Sequence, residues 1–227
     1  WSHSRGKRLE EKLDDDQVEA VSAYGGGTGR GDLAERINRA YRSGDFSELS
    51  EEDKETVKHL DEAARKGTID ENVLAFRGMN LSGLVDRLGL ETLEDLEGKT
   101  IEDEGFTSVS TDSAVASGFA RRSPKAGVVS VLLPEGSHAV PADPMKVKYR
   151  NEGELILPRG SRFRVVKVSP SKATLPKIMV KYLGPSESRR KEIMESSGQR
   201  RMFSSKDVEE KILCGLEHLL ERKRHLV

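Results

Sequence analysis

The chain has 227 residues, enough for one large domain or a domain plus an appendage, and 38 basic against 39 acidic side chains leave a net charge of −1. That balance excludes a bulk pull toward nucleic acid or anionic lipid, while 34% charged against 35% hydrophobic residues predicts many solvated helical faces. The single cysteine, Cys214, excludes an internal disulfide and a thiolate metal cluster, and no apolar run approaches the roughly 20 residues of a membrane-spanning helix.

The opening WSHSRGKRLEEK has neither an initiator Met nor the apolar stretch of a secretion signal, so the chain reads as a piece of a longer protein, with residues 1–13 as a tail. Asp14 with Gln17 predicts a capped helix carrying Val18, Val21 and Tyr24 on one face, which GGGTGRG then breaks. Leu33, Ile37, Ala40 and Tyr41 form a second stripe ending near Gly44, and Ser50-x-x-Asp53 opens a third helix bearing Val57, Leu60 and Ala64. From Asn72 the texture changes to short apolar runs between Gly, Pro and Ser. Strands are predicted over 73–76, 106–110, 128–133, 153–157, 163–168 and 177–183, with helices over 81–88 and 112–121. Helices first and then mostly strands is an α+β order, with no internal repeat. Beyond Gly184 a polar stretch leads to an amphipathic helix over 204–227, placing Val208, Ile212, Leu216, Leu219 and Leu220 on one face for packing on this domain or a neighbouring chain.

Several spellings carry little. GGGTGRG fits no register of G-x-G-x-x-G, follows a helix where a dinucleotide fingerprint needs a strand, and has no Lys where a P-loop requires one, so it reads as a turn. His59, His138, His218 and His225 show no metal-ligand spacing, and no metal is expected.

Three separated pieces hold the chemistry. LAFRGM puts Arg77 at the end of an apolar strand, before Gly78, where the backbone is free to turn sharply. EGFTSVSTD puts Ser108 and Ser110 on one face of a second strand. NEGELILPRG places Glu152 and Glu154 two apart at the mouth of a strand whose Leu155, Ile156 and Leu157 are apolar on both faces; in an extended chain both acids point to one side. Taken singly, the Arg reads as a surface ion-pair former, the hydroxyls as ladder or turn residues, and the acids as groups keeping a strand mouth in water.

In combination, Arg, then Phe-x-Ser-x-Ser, then Glu-x-Glu closed by Pro-Arg-Gly resembles the arginine-specific mono-ADP-ribosyltransferases of the Arg–Ser–Glu class, which includes binary-toxin enzymes and phage virion domains. Tyr24 followed by INRAYRSG resembles the family's helical Tyr…Ile-Asn…Leu-Arg segment, and the likeness runs over residues 14–183. The family usually has Ser-Thr-Ser where this chain has Ser108-Val109-Ser110. The resemblance implies a catalytic domain over 14–183, with N-terminal helices on two small mixed or antiparallel sheets enclosing an NAD cleft, and 184–227 as linker and terminal helix.

The resemblance further implies NAD as co-substrate and an arginine of a target protein as acceptor. Arg77 would clamp the pyrophosphate, Glu154 would stabilise positive charge on the ribose, Ser108 would hold Glu154, and Ser110 would support them. Glu152 would bind and deprotonate the incoming guanidinium, because a guanidinium with pKa above about 12 is a poor nucleophile. Gly78 and Phe119 join the expected cofactor-binding set, although Phe119 also reads as a core aromatic. Tyr149 is a candidate acceptor contact or a plain loop aromatic. Neither membrane insertion nor a nucleic-acid acceptor is expected; self-association or parent-chain contact falls to 204–227. An NAD glycohydrolase and a silent virion scaffold are the competing readings, and the expected setting is a secreted, injected or virion-carried protein acting in a target cytoplasm.

Overall fold

The computed structural model describes residues 12–26, 32–121, 126–143, 145, 152–171 and 174–188. Three helices come first: α1 (Asp15–Tyr24), α2 (Leu33–Ser43) and α3 (Glu51–Lys66). Both expected capping boxes form. Asp14 accepts from the Gln17 N–H at 2.9 Å and Ser50 accepts from the Asp53 N–H at 3.1 Å, each cap being worth about 1 kcal/mol. Gly44 ends α2 with φ 75°, a left-handed conformation that suits glycine.

The strands follow as β1 (Val73–Asn80), β2 (Thr100–Asp103), β3 (Thr107–Ser110), β4 (Ala126–Leu133), β5 (Val140–Pro141), β6 (Glu154–Leu157), β7 (Ser161–Ser169) and β8 (Lys177–Pro185). Helix α4 (Leu81–Arg87) follows β1, and α5 (Ser113–Ala120) follows β3. All six predicted strands and both predicted short helices are present. The four-residue β2 and two-residue β5 are additional; they are short edge strands, with little exposed backbone to recruit another chain.

The expected two sheets are halves of one eight-stranded order, β2-β7-β8-β4-β1-β3-β6-β5, in which only β4 and β8 run parallel. The halves meet through one register pair, Phe76 opposite Ser110. Side-chain alternation explains the layering. Val109, Leu155 and Leu157 point into a core shared with Val129, Val131, Val165 and Val180, whereas Phe106, Val140 and Ile156 point the other way and pack under α1, α2 and α3. The smaller half is therefore sandwiched between the helices and the larger half, an α+β arrangement. Among the described residues, no helix is long and apolar enough to cross a membrane.

Two features tie the layers together. Arg159, in the Pro-Arg-Gly after β6, is buried; it forms a two-pronged ion pair with Asp61 of α3 and lies 4.0 Å from the centre of the Tyr41 ring. Asn38 of α2 accepts from the Phe106 N–H at 2.8 Å and donates to the Tyr24 hydroxyl at 2.7 Å, so one buried amide joins both helices to the start of β3.

Candidate active site

An open cleft of about 560 Å³ lies between the helices and the seam of the sheet, lined by Tyr24, Asn38, Arg39 and Arg42 from the helices, Arg77 from β1, Arg87 from α4 and Ser108 from β3, among others. Its volume falls in the range of small-molecule sites, roughly 300–1,000 Å³. Four guanidinium groups and the acid Glu35 line it; Arg42 is paired with Asp103 and Arg39 lies against Glu35 and Glu48, so the positive charge suited to phosphate oxygens comes chiefly from Arg77 and Arg87.

Arg77 is fixed by its own strand neighbour: its Nη1 donates to the Ser108 carbonyl at 2.8 Å. Burial pushes its guanidinium pKa below the ordinary value, with Asp103, Tyr24 and Glu154 pulling it back up and Arg42 adding to the depression. It remains a cation, with one nitrogen fastened and the rest of the fork available to a ligand. Arg42 grips Asp103 at 2.7 and 2.9 Å, and Asp103 also accepts from Thr107 Oγ1 at 2.8 Å. Burial alone would raise the Asp103 carboxyl; Arg42, Arg77 and Thr107 together outweigh it, and the pKa ends below the usual carboxylate value. The Tyr24 hydroxyl is pushed up to about 12, chiefly by burial, so it stays neutral beside the cleft.

The two acids are placed differently from the strand argument. Strand β6 begins at Glu154, and Gly153 before it has φ 59°, so the pleat's alternation does not reach Glu152; a left-handed turn sets its direction instead. The register sets Ser110, not Ser108, directly opposite Glu154, while Ser108 is a diagonal neighbour on the same face. Glu154 interacts electrostatically with Arg77 and Tyr24, both of which line the cleft. Ser110 is buried, and its hydroxyl lies 2.5 Å from the Glu152 carbonyl, so it serves the acid turn and does not line the cleft.

Other expectations change. Gly78 does not turn the chain: β1 continues to Asn80, and a Cβ at Gly78 would meet the Ala116 carbonyl oxygen at 2.2 Å, so the glycine admits the backbone of α5. Phe119 is no core aromatic, being 49% exposed on α5. Tyr149 and the 204–227 segment lie outside the described residues. His59 does approach two acids: ligand atoms of Asp14, Asp16 and His59 fall within 4.8 Å of one another, at the end of α1 opposite Tyr24. Asp14 there already faces Lys66 at 3.6 Å, and His59 faces Glu55 at 3.5 Å.

Residue spacing gave no sign of Asp103, Thr111 or Asp143. Asp143 accepts from the Gly153 N–H at 2.7 Å and the Glu154 N–H at 3.2 Å. A lone Asp before Pro144 carries no signature of that contact, which exists only after β5 pairs with β6.

The model of the ADP-ribosyltransferase exoenzyme family matches residues 1–197. The chain belongs to that family. No curated protein matches it by sequence. Among solved structures, the C3 exoenzyme of Clostridium limosum is similar over 80% of this chain and 91% of its own, at 20% identity and a TM-score of 0.64. C3stau2 from S. aureus, solved with NAD, is similar over 79% of this chain and 92% of its own, with 23% identity and a TM-score of 0.61. The enzymatic component C2-I of the C2 toxin from Clostridium botulinum is similar at 18% identity and a TM-score of 0.64, over 80% of this chain but 47% of its own. These likenesses establish the exoenzyme fold, and family membership makes ADP-ribosyl transfer the activity class of this chain.

Proposed function

We propose that this exoenzyme is a mono-ADP-ribosyltransferase that moves ADP-ribose from NAD to an arginine side chain of a target protein, releasing nicotinamide. The supporting observation is the seam itself: a cleft-lining guanidinium, Arg77, fastened to Ser108, with the Glu152-Gly153-Glu154 turn braced by the same strand.

In this reading Arg77 and its cationic neighbours hold the pyrophosphate, for which a fixed fork of donors suits paired phosphate oxygens. The bond between ribose C1′ and the nicotinamide nitrogen breaks, and its electron pair leaves with nicotinamide. Positive charge develops on the ribose, and the Glu154 carboxylate stabilises it as it forms. Glu152 orients the acceptor guanidinium and takes a proton from its nitrogen, whose lone pair closes the new bond to C1′. Two acids thus divide the work, the inner one on the donor and the outer one on the acceptor. A role as a toxin or phage-delivered effector acting inside a target cell fits the family; mass spectrometry of host proteins after exposure to the chain and NAD identifies the acceptor.

The test uses labelled NAD and agmatine, a small guanidine acceptor. Glu154→Gln should reduce both nicotinamide release and transfer by about a hundredfold or more, the scale of a lost catalytic carboxylate. Glu152→Gln should remove transfer and leave much of the NAD cleavage. Full transfer by both variants overturns the assignment. Nicotinamide release by the native chain without labelled guanidine or protein identifies a glycohydrolase, and failure to bind NAD at all identifies a scaffold.

A further inference from the structure

The segment Glu152-Gly153-Glu154 is held by four groups from two directions. From the β5 side, the Asp143 carboxylate accepts the Gly153 N–H at 2.7 Å and the Glu154 N–H at 3.2 Å, and the Ala142 N–H donates to the Glu154 carbonyl at 3.0 Å. From the β3 side, Ser110 Oγ lies against the Glu152 carbonyl, and the Thr111 N–H donates to the Gly153 carbonyl at 2.9 Å. Between them Gly153 is left-handed at φ 59°, and a Cβ there would meet Thr111 Oγ1 at 2.1 Å. A turn so short and so fully bonded admits one conformation, and that conformation fixes where residue 152 stands relative to residue 154.

The grip is uneven. Glu154 is secured independently by the β3–β6 ladder, opposite Ser110, whereas Glu152 precedes the strand and depends on the turn. The shorter Asp143 bond goes to Gly153, on the Glu152 side.

We propose that Asp143 is a positioning residue for acceptor choice: by gripping the backbone of Gly153 and Glu154 it holds Glu152 at the distance from Glu154 at which a guanidine, and not water, captures the ribose. This rests on the transferase reading above. Losing the clamp moves Glu152 more than Glu154, so transfer falls further than NAD cleavage does.

The experiment measures agmatine transfer and nicotinamide release together in the full chain. Asp143→Ala should lower the ratio of transfer to cleavage roughly tenfold or more and raise KM for agmatine, since a misplacement of about 1 Å costs up to a hundredfold in rate. Asp143→Asn keeps one acceptor oxygen and should fall between Asp143→Ala and the native chain; it decides the question alone if the alanine variant fails to fold. Gly153→Ala, which forces the turn open from the opposite side, should lower the same ratio. A purely structural role for Asp143 would reduce both activities equally, and an unchanged ratio in Asp143→Asn and in any folded Asp143→Ala overturns the inference. A native chain that transfers normally isolates that failure to Asp143, whereas a native chain that modifies neither agmatine nor protein overturns the transferase reading as well.

Discussion

The guanidinium of Arg77 and the carbonyl of Ser108 meet at 2.8 Å, so the cation facing the cleft is anchored to the strand that carries the site's hydroxyls. Lysine cannot reproduce this, because an ammonium is a point charge with no second prong to offer once one contact is made. Arg77→Lys should weaken NAD binding roughly tenfold or more, the scale of one charge-assisted hydrogen bond, with little change in the far-ultraviolet circular dichroism. Titration calorimetry with NAD checks it, and unchanged affinity would remove Arg77 from the phosphate clamp.

Asn38 satisfies the Phe106 N–H and the Tyr24 hydroxyl at once from a buried position. Asn38→Ala leaves that buried N–H without its acceptor, and should cost about 2–3 kcal/mol in urea unfolding. Because the same amide seats β3 beside the cleft, NAD affinity should fall with it.

Gly78 lies where α5 crosses β1, and its missing side chain is the reason the two backbones fit. Gly78→Ala should destabilise the chain by about 3 kcal/mol, since the nearest atoms are the Ala116 carbonyl and the Ala120 N–H, which cannot rotate away. A midpoint shift of less than about 1 kcal/mol would show that α5 yields.

Acid should act through Asp53. Burial alone would raise its carboxyl, but the Arg36 fork and the Ser50 N–H more than reverse this and hold it at about 2, against 3.8 when unperturbed. The unfolded chain binds the proton more readily, so this stabilisation, about 2 kcal/mol, is fully present above the unfolded value and disappears as pH falls from about 4 through about 2. Thermal unfolding across that window should be steeper for the native chain than for Asp53→Asn. Equal slopes would deny the ion pair its role.

The sequence announced what local rules govern. Asp14 with Gln17 and Ser50 with Asp53 are capping pairs whose chemistry lies within four residues, and both form as read. The six apolar runs became strands because period-two burial is visible in one dimension. What could not be read depends on contacts made across the fold. Gly153 fell inside the strand predicted over 153–157, but its left-handed backbone is held by Thr111 and Asp143, 42 and 10 residues away. Gly78 looked like a turn because nothing near it in sequence reveals a helix 38 residues on pressing against its Cα. Arg159, spelled out in Pro-Arg-Gly, gave no sign that its partner is Asp61 on α3.

The single rung between Phe76 and Ser110 has a mechanical meaning. Peeling β1 from β4 requires breaking a ladder eight residues long, but parting the two halves of the sheet breaks almost no backbone bonds. The seam past Arg77 is therefore held by the shared apolar core and the Arg77–Ser108 contact more than by backbone bonds, and β3 amide protons facing it should exchange with solvent sooner than those in the β1–β4 ladder. A molecule lying across that seam would add backbone-independent bonds between the halves, and the gain in rigidity would show there first.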